Sequence, residues 1–317
     1  MSELSRKIKK PLKRAILRLQ SPARDSAWRL SAADLRGVAL RWPATLEWPP
    51  GWAWVEPLFY GLGFQVPLVV TEIPQCLAGT VIIEMQRGHR TFRIAINCSD
   101  YPDFTNMGTD SGAKEGLDLE FKMQYRVGGY SNDAIVPGGF ISDSVLVDWY
   151  ARGPRRQRDR QRFSWDVYGR FGLQFATAVR TTAITALQNQ NRVSFFGGGK
   201  KVAYPEFLSE VARSKVCLDL PGNGPFCFRL INYLAVGACV VSPPHAAVMP
   251  VPLEDRKHIV YTRPDMSDLV ELCEQYANDS QARESIMRES REYYRRHLYW
   301  RSLSSYYLRT MLDRLPL

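Results

Sequence analysis

From residue 164 onward the apolar positions of the chain switch between two spacings. Short runs of strand character, Trp165–Tyr168, Val193–Phe196, Val216–Leu220, Ala238–Val241 and Ile259–Tyr261, alternate with stretches whose apolar residues recur three and four apart. Those stretches lie at about 176–188, 204–213 and 228–236, and then from Ser267 to the end. The first spacing suits a buried strand and the second one face of a helix. Taken in turn, they predict a parallel sheet with helices on both faces. The unit within Lys215–Pro244 is the most complete. An apolar run meets the turn Pro221-Gly222-Asn223-Gly224-Pro225, a helix carries Phe228, Leu230, Ile231, Leu234 and Ala235, Gly237 is placed to end it, and Ala238–Val241 forms the next strand.

The earlier part of the chain is less regular. Pro67–Thr71 and Val81–Met85 read as strands, Phe92, Ile94 and Ile96 alternate in a third, and EFKMQYR carries a further alternation. Trp42, Trp48, Trp52 and Trp54 stand among prolines and predict an irregular, aromatic-rich segment. Between the two parts, the almost wholly polar ARGPRRQRDRQR contains Gly153 and Pro154 and predicts a solvated linker. With 317 residues and 45% hydrophobic content there is material for two cores. The expected division is a basic segment 1–27, an α/β domain 28–150, a basic linker 151–163 and a second α/β domain 164–317.

The formal charge of +10 admits nucleic acid, anionic lipid or phosphorylated small molecules as partners. Nucleic acid is the minor reading, because no aromatic residues interrupt the 152–162 run to act as stacking platforms. The N-terminus interleaves basic residues with Ile8, Leu12, Ile16, Leu17 and Leu19 and lacks the apolar core of a signal peptide or membrane span. It suits a flexible tail or peripheral contact with an anionic membrane, and a cytoplasmic location is expected. Six scattered cysteines without CxxC spacing predict a reducing compartment, and neither they nor the four histidines predict a metal site.

Candidate chemistry lies where strands end. In open α/β sheets ligands bind beyond the carboxyl ends of strands, where free amides at a helix N-terminus favour an anion. Gly222 and Gly224 would let backbone approach a phosphate, and Arg229 sits in the first helical turn, an unfavourable place for a cation unless an anion is near. In RIAINCSDYPDF, Asp100 and Asp103 follow the end of a strand and would face a cleft.

Two segments carry a resemblance. DLPGNGPFCFRLINYLAVGACVV is similar to the nucleotide-sugar segment of the protein O-glucosyltransferase, capsular xylosyltransferase and lipopolysaccharide-modifying glycosyltransferase family, in which an Asp-Gly-Asn-Gly loop precedes an Arg and a Tyr-Leu-Leu helix. Here Pro221-Gly222 stands where the family has Asp-Gly, and Phe226-Cys227 replaces its serine. INCSDYP, Ile96–Pro102, resembles a second motif of that family, in the same order along the chain. DVYGRFG and IVYTRPDMSDLVEL also resemble exostosin-like and other GT-B transferases.

The resemblance implies a GT-B-like fold, two Rossmann-like domains facing a cleft, and sugar transfer from a nucleotide-sugar, UDP-linked, to a hydroxyl of a glycan, lipid-linked, lipopolysaccharide or protein acceptor. It makes Asp100 the general base of an inverting reaction, with Asp103 as the nearby substitute, because a carboxylate within reach of a sugar hydroxyl takes its proton as the new bond forms. The donor-binding candidates are Arg170 and Lys200, which follow strand ends, with Gly222, Asn223, Gly224, Phe226, Phe228 and Arg229 of the loop and the helix start. No cofactor and no metal is expected, since no Asp-x-Asp triplet occurs. The alternatives are a retaining or exostosin-like transferase, which Asn232 at the helix position of a donor-binding Glu disfavours, a degenerate sugar-binding module without turnover, and a non-catalytic basic protein that binds nucleic acid.

Overall fold

The computed structural model describes residues 26–75, 79–103, 116–142 and 144–316. The basic segment expected at 1–27 lies almost wholly outside the described residues. The chain is an α/β protein with two mostly parallel sheets.

The first sheet has the order β2-β1-β3-β4-β5-β6. Its strands are β1 (Val38–Pro43), β2 (Leu68–Thr71), β3 (Thr80–Arg87), β4 (Arg90–Asn97), β5 (Leu119–Lys122) and β6 (Ile135–Pro137). The pairings of β3 with β1 and β4 are antiparallel, and the rest are parallel. Between β1 and β2 lies helix α1 (Trp52–Gly63). The aromatic-rich segment expected to be irregular is a strand and a helix joined by a short irregular stretch that holds Trp48. Trp42, in β1, is buried against Trp52 and Phe59 edge-on at 6.5 and 5.4 Å, so Trp42 is core, while Trp48 and Trp52 stay exposed.

The expected linker is also helical. Helix α2 (Val147–Asp159) runs through Pro154, and the chain turns only after it, at Gln161 with φ 52°. Two of its arginines are structural. The buried Arg158 guanidinium donates to the carbonyls of Val211, Ser214 and Lys215 at 2.8, 2.6 and 2.8 Å, and Arg155 pairs with Asp148 at 2.7 Å. A basic run reads as solvated, but an arginine stem is apolar enough to be buried once its fork meets carbonyls.

The second sheet is wholly parallel, in the order β11-β10-β9-β7-β8. It comprises β7 (Trp165–Arg170), β8 (Phe195–Gly198), β9 (Ser214–Leu218), β10 (Cys239–Ser242) and β11 (Val260–Tyr261), with helices α3 (Thr177–Gln188), α4 (Tyr204–Ala212), α5 (Phe228–Val236), α6 (Leu269–Asn278), α7 (Ser280–Tyr293) and α8 (Trp300–Arg314). Successive strand residues face opposite sides. Val216 and Leu218 pack with Ala183 and Leu272 of α3 and α6, whereas Cys217 packs with Val211 and Leu230 of α4 and α5. This second core is continuous with that of the first sheet.

The sheet changes direction between β7 and β9, and it is there that a doubly wound sheet opens a crevice. The expected helix of the Lys215–Pro244 unit forms as α5. It ends at Gly237, whose φ of 78° only glycine adopts cheaply, with the Ala238 amide donating to the Tyr233 carbonyl at 2.9 Å. The last helix, α8, returns to the first sheet, where Tyr307 stacks on Phe121 at 4.0 Å. A Cβ on Gly61 of α1 would stand 1.9 Å from Ser304 Oγ, so glycine permits the close contact between α1 and α8.

Candidate active site

The two segments singled out in the sequence, about 120 residues apart, meet at the carboxyl ends of the two sheets. After β4 the chain forms a corner built by Asn97. Its side-chain carbonyl accepts from the Ser99 amide at 3.0 Å and from Lys122 Nζ at 3.2 Å, and its amide donates to Glu120 at 2.8 Å. Beyond it Asp100 faces the glycine loop, with Asn223 Nδ2 3.5 Å from its Oδ2. Burial raises the Asp100 carboxyl above its ordinary value, against the Asn223 contact and the Lys122 charge, which lower it. The same burial lowers Lys122 to about 8, opposed by Glu120, Cys98, Asp100 and Asp103.

Asp103 is not brought into this contact. It is 60% exposed and pairs with Arg126 at 3.3 Å, a surface arrangement.

The glycine loop is pressed between the halves. The Gly222 amide closes it by donating to the Gly224 carbonyl at 2.9 Å. A Cβ on Gly224 would meet the Asp100 carbonyl oxygen at 2.4 Å and Gln124 Nε2 at 2.6 Å, and one on Gly222 would meet Cys227 Sγ at 2.7 Å. Gly224 is thus required by the approach of the first half, a reason the sequence did not reveal. Beside the loop a cleft of about 270 Å³ is lined by Gly222, Asn223, Gly224, Pro243, Pro244 and His245 among others. Helix α5 begins at the loop without a side-chain cap, and in its first turn the Leu230 amide donates to the Cys227 carbonyl at 3.1 Å.

Charge collects beneath the loop. Asp219, just past β9, is 0% exposed and accepts from Arg229 Nε at 3.1 Å. Arg229 also donates to the Leu220 carbonyl and lies over Phe171, its Cζ 4.5 Å from the ring centre. Burial works against the Arg229 charge, but Asp219 outweighs it and holds the guanidinium above its ordinary value. A second buried guanidinium, Arg180 of α3, donates to the Pro221 carbonyl at 2.9 Å and to that of Gly172. Burial lowers it, and Arg229 adds to the effect. His245 stands on the other side of Asp219, Nε2 to Oδ2 3.5 Å, with its Nδ1 3.1 Å from Tyr261 Oη. Two guanidinium groups against one carboxylate make the underside of the loop locally cationic.

Other expected residues are engaged elsewhere. Arg170, at the end of β7, gives both arms of its fork to Glu210 at 2.6 Å and donates to the Lys200 carbonyl at 3.1 Å. The Lys200 side chain is exposed in its loop. Phe228 packs on Trp54 at 4.4 Å and Phe140 at 5.3 Å, in an aromatic contact between the halves. Phe226 is buried against His245 at 4.8 Å. Asn232 accepts from Tyr204 Oη at 2.6 Å and donates to the Phe228 carbonyl at 2.9 Å.

Sequence reasoning missed Lys122, Gln124, Arg180, Asp219 and His245. Lys122 and Gln124 gave no signal, because in EFKMQYR they hold the polar positions of an alternating pattern and read as solvent-facing, although both are buried. Among the described residues no group of three His, Cys, Asp or Glu side chains gathers as a metal site would require. No helix among them is long and apolar enough to cross a membrane.

Residues 177–308, which include α3, the glycine loop and α5, match the family model described as glycosyl transferase-like. No curated protein matches the sequence. Among solved structures the chain is similar to a glycosyltransferase from Rickettsia africae ESF-5, at 8% identity and a TM-score of 0.39. The similarity covers 58% of this chain and 59% of that one.

Proposed function

We propose that the protein is an inverting glycosyltransferase that moves a sugar from a nucleotide-sugar, UDP-linked, to a hydroxyl of a glycan, lipid-linked or protein acceptor. The observation that carries this reading is the meeting of Asp100 with the glycine loop, Asn223 Nδ2 to Asp100 Oδ2 at 3.5 Å, above two buried arginines. An anionic leaving group needs preorganised positive charge. Arg229, Arg180 and the positive end of the α5 dipole supply it. A sugar hydroxyl needs a carboxylate to take its proton, and Asp100 is a half-buried carboxylate at the mouth.

In this reading residues 28–150 hold the acceptor and 164–317 the donor. The hydroxyl oxygen attacks the anomeric carbon as Asp100 accepts its proton, and the bond to the diphosphate oxygen breaks on the opposite face. The diphosphate leaves with the electron pair, over the loop amides and the arginines beneath them. Asn232, committed to Tyr204 and Phe228, offers no carboxylate to the donor, which favours inversion over the retaining alternative. A cytoplasmic enzyme with peripheral contact to an anionic membrane through its basic N-terminus completes the proposal.

The test is transfer from a panel of UDP- and GDP-sugars by the intact protein and by Asp100→Asn. The reading expects turnover of one donor and retained nucleotide binding with turnover lost in the variant. Absence of binding by every nucleotide sugar would overturn it.

A further inference from the structure

Gln124 lies two residues past β5 and is 1% exposed. Its side-chain amide is spent on one residue of the other half. Oε1 accepts from the Phe226 amide at 3.1 Å, and Nε2 donates to the Phe226 carbonyl at 3.0 Å. Phe226 ends the glycine loop, two residues before α5 begins. The backbone on either side continues the contact. The Tyr125 carbonyl accepts from the Val248 amide at 2.8 Å, the Val127 amide donates to the Ala246 carbonyl at 3.3 Å, and Arg126 bridges to Ala247 in antiparallel register. The segment 124–127 is thus held between the glycine loop and the residues that follow His245.

We infer that Gln124 is a positioning residue that fixes Asp100 in register with the glycine loop across the two halves of the molecule. This rests on the glycosyltransferase reading above. A primary amide presents one donor and one acceptor side by side, which matches the N–H and C=O of a single backbone residue. Asparagine is a methylene shorter, and an ionised carboxylate has two acceptors and no donor. Asp100 lies against the same loop at two points, its carbonyl packed close to Gly224 and its carboxylate oxygen 3.5 Å from Asn223 Nδ2. Loosening the loop therefore moves the base relative to the donor. A misplacement of about 1 Å costs reactions of this kind roughly 10²-fold.

Two variants of the full chain test it, with the donor that the wild-type protein uses and with free UDP as binding probe. Gln124→Leu keeps the volume and removes both hydrogen bonds. The expected result is kcat lowered about 10- to 100-fold with UDP affinity unchanged. Gln124→Glu carries its own control. The neutral carboxyl has one donor and one acceptor, as the amide does, so activity relative to wild type is expected to be near normal at low pH. It should fall as the introduced carboxyl ionises. A residue that merely stabilised the fold would lower the melting temperature without giving that pH-dependent ratio. Wild-type kcat in Gln124→Leu, or a flat ratio in Gln124→Glu, would overturn the inference and leave the functional reading intact.

Hydrogen exchange at the Phe226 amide supplies a readout free of turnover. Protection in wild type and its loss in Gln124→Leu are expected. If no nucleotide sugar is turned over, the functional reading fails, yet this exchange still decides whether the latch exists, and unchanged protection would remove it.

Discussion

Two aspartates occupy equivalent places in the two sheets. Asp100 follows β4 and Asp219 follows β9, each just past the carboxyl end of a strand and on either side of the glycine loop. Asp219 is wholly buried, clamped by Arg229 and flanked by His245. Asp100 is half-buried, has no arginine partner among the described residues, and is held above its ordinary pKa by burial. Place in the fold does not separate a chemical carboxylate from a structural one; surroundings do. A proton acceptor must be reachable and free of a permanent cation, whereas a buried carboxylate survives only with one.

The largest effect that would break this comparison lies at Asp219. Asp219→Ala leaves the Arg229 guanidinium buried and unpaired, and the expected loss is about 3–5 kcal/mol of stability, measured by chemical denaturation. Arg229→Ala should cost a similar amount. The double variant should cost less than the sum, because each single change strands the other charge. Additive losses would show that the pair is not a unit.

Next comes Asp100→Asn. Here turnover is expected to fall about 10²- to 10⁴-fold while the denaturation midpoint stays near wild type, the inverse of the Asp219 result. A variant that unfolded without a specific loss of kcat would erase the distinction.

The pH dependence sharpens it further. The folded-state pKa of Asp100 is raised, so folding favours its protonated form. Its contribution to stability is present at low pH and lost as pH rises through the folded value. Activity runs the other way, since the base must be ionised. The acid limb of kcat/KM should fall above the ordinary carboxylate range, and Lys122→Met, by removing a cation near Asp100, should move that limb to still higher pH. A limb unmoved by Lys122→Met would mean the lysine acts elsewhere.

The smallest effect belongs to Asp103. Its pair with Arg126 is exposed, so Asp103→Asn should change stability by less than about 1 kcal/mol. Turnover should drop far less than in Asp100→Asn. The reverse order would transfer the base role to Asp103.

How much of this was legible beforehand depended on what kind of contact made each element. The parallel strands of the second sheet are buried on both faces, so Val216–Leu218 and Cys239–Val241 appear in the sequence as apolar runs, and Pro221–Pro225 marks the loop between them. The α1 and α2 helices were obscured because prolines, tryptophans and arginines dominate them, and their burial depends on partners far along the chain, such as Val211 and Ser214 for Arg158. At the candidate site the motifs located Asp100, Asn223 and Arg229. They could not show that Arg170 is committed to Glu210, or that Arg180 and Gln124 reach the loop from other elements. Those are facts of tertiary proximity, to which local spacing is blind.

The return of α8 to the first sheet bears on how the protein is made. Phe121 stacks on Tyr307 and meets Tyr306 edge-on, and the glycine at position 61 waits for Ser304. During synthesis the first half therefore leaves the ribosome with part of its apolar surface bare, and it stays so until nearly two hundred further residues have followed. A nascent chain of this kind needs shelter while it waits. Release of a chain ending before α8 should yield aggregate in place of a smaller folded domain.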